Sequence, residues 1–194
     1  MNMIIATHNR HKVEEFSRIL APLGVTIQTA ELTEAEETGE TFRENAYIKA
    51  KSACDETGLP CIADDSGLSV DALHGEPGVY SARYAPEGQR KQTVLKKLEN
   101  VPEAERGAHF TSAICCVFPN GDVLEAEGYC YGRIARECRG TGGFGYDPIF
   151  LCTEAGCAGK TFGEATPEEK DAVSHRGKSL RLFAEKLENY LKQK

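Results

Sequence analysis

The segment Ile62-Ala63-Asp64-Asp65-Ser66-Gly67 ends an apolar run on two adjacent carboxylates. Like charges repel, and a buried carboxylate needs a partner or a cation, so the pair is costly to keep. Successive strand side chains point to opposite faces, so Asp64 and Asp65 are not expected to act as one dyad. One can face a site and hold a cation while the other hydrogen-bonds a turn. An Asx-turn with a permissive glycine explains the same residues without any chemistry. Upstream, Thr7-His8-Asn9-Arg10-His11-Lys12 lies where a short apolar run gives way to helical spacing. Such a junction aims backbone N–H groups and the positive helix end at one spot, a natural anion site. Lys12 adds a charge that can reach a phosphate oxygen. The spacing is not that of a P-loop, and a plain N-cap is the competing reading. His8 and His11 read as surface histidines rather than metal ligands.

Two further groups lie downstream. Lys170, His175, Arg176 and Lys178 form a basic cluster, whose plain alternative is a solvated face. The glycines from Gly140 to Gly145 precede and interleave with Phe144 and Tyr146. Glycine lets a backbone approach a flat ligand and aromatic rings offer it a stacking face, although tight turns over core aromatics need the same residues. Together these groups supply an anion cradle, acids for a cation, an aromatic platform and further donors. Those are the parts of a nucleoside polyphosphate site.

The surrounding pattern must position them. Met3 to Ala6 predicts a first strand, and Val13, Phe16, Ile19, Leu20 and Leu23 predict a helix running to Gly24. Residues 31–40 form an acidic loop that includes Glu37. Thr41-Phe42-Arg43-Glu44 reads as a capping box, opening a helix to about Gly58 on which Asn45, Lys49 and Ser52 make a polar stripe. Cys61 to Val70 predicts strand, turn, strand, and Gln89 to Leu98 a helix. Phe110 to Phe118 and Val123 to Ile134 flank a hairpin signal at Pro119-Asn120-Gly121-Asp122. Thr166-Pro167-Glu168-Glu169 opens another helix, and Leu180, Phe183, Leu187 and Leu191 mark a core or subunit face on the last one. Helices interleave with strands, but the hairpin makes the sheet mixed, so the class is α/β or α+β.

At 194 residues the chain is expected to be one domain, 1–194. A formal charge of -7 argues against a nucleic-acid backbone as main partner. No apolar stretch approaches the ~20 residues that span a bilayer, and the start does not read as a signal peptide, so a cytoplasmic location is expected. The eight cysteines include no C-x-x-C pair, so zinc is set aside and reduced thiols are expected.

Six motifs then carry a resemblance. They are Thr7-x-Asn9-x-x-Lys12, the stretch from Ala35 to Ala46, Ala63-Asp64-Asp65-Ser66-Gly67-Leu68, Gly75-x-Pro77 to Tyr84, Gly140 to Phe150, and Ser174-His175-Arg176-Gly177. In order and spacing they resemble the inosine/xanthosine triphosphate pyrophosphatase family over essentially the whole chain. The resemblance implies hydrolysis of deaminated purine triphosphates (dITP, ITP, XTP) to monophosphate and pyrophosphate, removing miscoding purines from the nucleotide pool. It also implies Mg2+, a homodimer, and an elongated two-lobed Maf/Ham1-like fold: a mixed sheet with flanking helices and a central active-site cleft. Carried onto this chain, Thr7, His8, Asn9, Arg10, His11 and Lys12 form the triphosphate cradle. Asp65 is the catalytic acid with Lys12 beside it, and Glu37 with Asp65 holds the metal. Lys49, Ser66, Phe144, Gly145, Tyr146, Asp147, Lys170, His175 and Arg176 are substrate contacts. Three alternatives stay open: a Maf-like pyrophosphatase for pyrimidine or modified-base triphosphates, a nucleotide sensor without turnover, and a metal-dependent nuclease.

Overall fold

The computed structural model describes residues 1–193. Its strands are β1 (Asn2–Ile5), β2 (Thr26–Gln28), β3 (Cys61–Val70), β4 (Gly107–Val117), β5 (Val123–Ile134) and β6 (Phe150–Cys152). Its helices are α1 (Arg10–Leu20), α2 (Phe42–Thr57), α3 (Arg90–Lys97), α4 (Pro167–Val173) and α5 (His175–Lys192). The strands form one sheet in the order β2-β1-β3-β4-β5-β6. β1 is parallel to β2 and β3, and β5 is antiparallel to β6, so the sheet is mixed as expected.

The chain divides into two compact units. The first comprises Met1–Asp65, Ser112–Gly128 and the stretch from Ser179 onward. Strand alternation gives it two cores. Met3, Ile5, Ile62, Ile114 and Cys116 pack with Phe16 and Leu20 of α1 and with Leu180, Phe183 and Leu187 of α5. The residues between them, Ile4, Cys61, Ala63, Ala113, Cys115 and Val117, pack with Ala46, Ala50 and Ala53 of α2. Small side chains on α2 let that helix lie close on the sheet. The predicted capping box is formed: Glu44 N–H donates to Thr41 Oγ1, and Thr41 N–H donates to Glu44 Oε2, both at 3.1 Å.

The second unit comprises Ser66–Thr111 and Tyr129–Lys178. Its core gathers Leu68, Val70, Val94, Leu98, Ile149 and a trio of rings, Phe110, Phe150 and Phe162. Arg106 is buried beside it and donates to three main-chain carbonyls: Leu98 at 2.6 Å, Ile134 at 2.8 Å and Ala135 at 2.8 Å. Burial lowers its pKa, and the three acceptors satisfy most of a fork that could not otherwise be buried.

Three expectations change. α1 stops at Leu20 and gives way to a tighter turn over Ala21–Leu23, because Pro22 has no N–H to continue the ladder. Cys61–Val70 is one continuous strand with no turn at Asp64-Asp65. Cys152 and Cys157 are joined as a disulfide, correcting the expectation that all eight thiols are reduced; the other six cysteines are free.

Candidate functional site

In the first unit, alternation along β3 sends its two carboxylates to opposite sides. Asp64 follows Ile62 toward α1, where Lys12 Nζ lies 2.8 Å from its Oδ1. Asp65 follows Ala63 toward α2, where Lys49 Nζ lies 3.3 Å from its Oδ1. The same ammonium stands 2.8 Å from Glu37 Oε1. Each acid therefore faces its own lysine, which explains how two adjacent carboxylates persist on a buried strand.

Glu37 is brought there by Asn45, a residue with no exposed surface. Gly39 N–H donates to Asn45 Oδ1 at 2.8 Å, docking the acidic loop on α2. A main-chain N–H can only donate, so this bond fixes the amide orientation and turns Nδ2 to Asp65 Oδ2 at 3.2 Å. At Gly39 a side chain would run into Asn45 and Glu44. Asn45 thus ties the Glu37 loop to Asp65. Its place on the polar stripe with Lys49 was the only sequence signal for that role.

The electrostatics follow from the crowding. Burial pushes the Asp65 carboxyl above its usual range; Lys49 and Asn45 oppose this, and the charges of Glu37 and Asp64 add to it. Burial also works against the Lys49 ammonium, but Asp65, Asp64 and Glu37 outweigh it and raise its pKa. Among the described residues, no three His, Cys, Asp or Glu side chains gather as a ready-made metal cage. The donor set fits a hard divalent cation nonetheless. Glu37 and Asp65 offer carboxylate oxygens that already share one positive charge, and Mg2+ commonly takes one or two carboxylates, with water and phosphate completing its shell.

The Thr7–Lys12 segment is a well-formed helix start. Thr7 Oγ1 accepts from Asn9 N–H at 3.1 Å, and Asn9 Oδ1 accepts from the N–H groups of His11 and Lys12. The N-cap reading is therefore realised, and the cap uses two of the amides an anion would want. His8 and His11 are exposed, and Arg10 reaches along α1 to Glu14. Of this segment, the structure brings only Lys12 against an acid of β3.

In the second unit, the ring of Phe144 is flanked by two cations: Lys170 Nζ at 4.8 Å and the Arg176 guanidinium at 5.5 Å from its centroid. Lys170 also pairs with Asp147 Oδ2 at 2.7 Å, an oxygen that accepts from Phe144 N–H at 2.8 Å. Gly143 has φ +67, and a side chain there would collide with Asp147. Arg176 Nη2 donates to Ser66 Oγ at 3.1 Å. Ser66, Phe144, Asp147, Lys170 and Arg176 are thus one cluster, with Gly145 exposed in its turn at φ +61. Two expected contacts are engaged elsewhere. His175 stacks on Phe110 at 4.6 Å between centroids, and Tyr146 is buried with its hydroxyl donating to Ser81 O at 2.8 Å.

Residues 3–186 match the Ham1 family. A protein of Lactiplantibacillus plantarum named dITP/XTP pyrophosphatase is 45% identical, covering 97% of this chain and 95% of its own length. A Staphylococcus aureus Ham1 protein superposes with a TM-score of 0.87 at 36% identity, covering 98% of this chain and all of its own. A structure from Mycobacterium abscessus described as nucleoside-triphosphatase / dITP/XTP pyrophosphatase superposes with a TM-score of 0.77 at 44% identity, covering 94% of this chain and 98% of its own.

Proposed function

Because this chain belongs to the Ham1 family, we propose that it hydrolyses noncanonical purine nucleoside triphosphates (dITP, ITP, XTP) to the monophosphate and pyrophosphate. The observation that carries this reading is the Lys49 ammonium held between Glu37 and Asp65, with Lys12 on Asp64. A triphosphate and its cation offer the same valences in exchanged form, phosphate oxygen to lysine and cation to carboxylate. Lys12 and Lys49 would neutralise charge on the departing pyrophosphate, and such electrostatic positioning accounts for most phosphoryl-transfer catalysis. Glu37 and Asp65 would hold Mg2+, which when bound polarises a phosphoryl oxygen and lowers the pKa of water. Asp65 would take a proton from the attacking water, but a cation bound to it would lower its pKa and weaken it as a base, leaving part of that work to water activated by the cation.

Phe144 is the base seat in this reading, with Arg176 turned toward the purine edge. Adenine offers an amine at its six position, where hypoxanthine and xanthine offer an oxygen, so a donor there disfavours ATP by about 1–3 kcal/mol. Phe144 N–H is already spent on Asp147, which leaves the guanidinium as the stronger candidate donor. We assign the chain a homodimeric assembly and a cytoplasmic role on the family resemblance; no described helix is long and apolar enough to cross a membrane.

The test incubates the purified protein with ITP, dITP, XTP, GTP, ATP and UTP and Mg2+, resolving products by phosphorus NMR. Pyrophosphate from the inosine and xanthosine nucleotides in preference to the others is the expected result. A pyrimidine preference would favour the Maf-like alternative, and binding of ITP without product would make the chain a sensor. Sedimentation of the same sample tests the dimer.

A further inference from the structure

The motif from Gly75 to Tyr84 has no task in the activity above, yet Ser81 at its centre is only 5% exposed. Its hydroxyl accepts from Leu68 N–H at 2.9 Å and donates to Gly78 O at 2.6 Å, while its carbonyl accepts the Tyr146 hydroxyl at 2.8 Å. Val70 N–H donates to Glu76 O at 3.1 Å, and Ser69 bridges Pro77, so the loop is laid along the end of β3. Leu68 is two residues beyond Ser66, which accepts from Arg176; Tyr146 is two residues beyond Phe144, which lies under Arg176. The contacts therefore close a ring: Arg176, Ser66, Leu68, Ser81, Tyr146, Phe144 and back to Arg176. Two of its sides are short covalent segments and the rest are contacts of fixed length. Ser81 thus links the strand that carries Ser66 to the turn that carries Phe144.

We propose that Ser81 and Tyr146 are positioning residues for base discrimination, buried behind the seat and holding Phe144 at a fixed distance from Arg176. This rests on the reading of Phe144 as the base seat. It assigns Tyr146 to the back of the seat rather than to contact with the nucleotide. Small errors in a hydrogen-bonded site fall on discrimination first, because a donor that misses its acceptor loses the difference between purines while the phosphate end is still gripped.

The experiment compares wild type, Ser81→Ala, Tyr146→Phe and the double variant, measuring kcat and KM for ITP and ATP and inhibition by tripolyphosphate. Each single variant is expected to raise KM for ITP and lower the ITP-to-ATP ratio of kcat/KM by about fivefold, the scale of one neutral hydrogen bond. The kcat for ITP and the tripolyphosphate inhibition constant should stay within about twofold, since neither depends on the seat. A combined loss smaller than the product of the single losses would mark one shared ring. Folded variants with an unchanged ratio, or with equal losses for ITP, ATP and tripolyphosphate, would overturn the proposal. Should Ser81→Ala fail to fold, Tyr146→Phe decides alone, because it removes one oxygen atom and almost no volume. Wild-type protein that leaves ITP intact would instead overturn the reading of the seat, and this inference with it.

Discussion

Lys12 is drawn into the site by a carboxylate with no exposed surface, so replacing it should cost stability as well as activity. The Asp64 side chain is 0% exposed and that of Lys12 is 15% exposed, with 2.8 Å between the charges. Removing one member of a fully buried pair costs about 3–5 kcal/mol, because the other charge is left without compensation. Here the lysine borders solvent and the Lys49 charge also acts on Asp64, which reduces the expected cost of Lys12→Met to about 2–3 kcal/mol. For a chain of this length that lowers Tm by about 4–12 °C. Adding Asp64→Asn removes the stranded charge and should recover about half of the loss. Turnover should behave differently, since the role proposed for Lys12 needs the ammonium itself: both the single and the double variant should lose at least about a hundredfold in kcat. The assays are thermal and urea melts at neutral pH with ITP hydrolysis at a temperature where every variant is folded. Lys12→Met melting within about 1 °C of wild type, or a double variant that regains turnover, would refute the reasoning.

Asp65→Asn should abolish ITP turnover yet leave the fold at least as stable at neutral pH. The folded Asp65 pKa is raised by burial and by Glu37 and Asp64, so the folded state binds the extra proton. Stability is therefore lost as pH rises from the ordinary value through the raised one, and the variant's advantage in Tm should vanish on acidification; a lower Tm at neutral pH would count against this. Glu164 behaves oppositely. The Arg139 hydrogen bond and Thr161 N–H hold its pKa down to about 2, so its contribution is present above the ordinary carboxylate range and lost as pH falls toward that value. Glu164→Gln should accordingly weaken the protein at neutral pH and match wild type in strong acid, which acid-titrated melts would check. Thiol titration of unreduced protein should find six reactive groups after denaturation and one fast group, Cys138, in the native state. Burial pushes Cys115 and Cys130 up to about 12 and leaves them inert, and eight groups after denaturation would contradict the Cys152–Cys157 bond.

The parts of the site legible in the sequence were those set by local rules. The capping box at Thr41 and Glu44, the stripe carrying Asn45 and Lys49, and the opposite facing of Asp64 and Asp65 follow from helical and strand periods, and all are present. What was not legible is pairing at a distance. Asp64 looked like a turn residue because Asp-Asp-Ser-Gly has turn chemistry; in the fold, lysines from two different helices supply what a turn would have supplied, and the strand continues. Tyr146 looked like a stacking face because an aromatic among glycines has that form, yet its hydroxyl finds a carbonyl 65 residues away in sequence.

The same distinction explains why the acid cluster is built from lysine rather than arginine partners. Lys49 must satisfy Glu37 and Asp65 from a helix that sits close to the sheet through Ala46, Ala50 and Ala53. A guanidinium would grip one carboxylate as a fork and hold it in a fixed plane, whereas an ammonium is a compact charge shared between two oxygens and released more readily. On the proposed reading the carboxylates would release the ammonium to take Mg2+, and the second suits that exchange better. Lys49→Arg would keep the charge and test this directly: it should preserve Tm while lowering turnover, because the exchange and not the charge is impaired. Full activity in that variant would show that charge alone suffices.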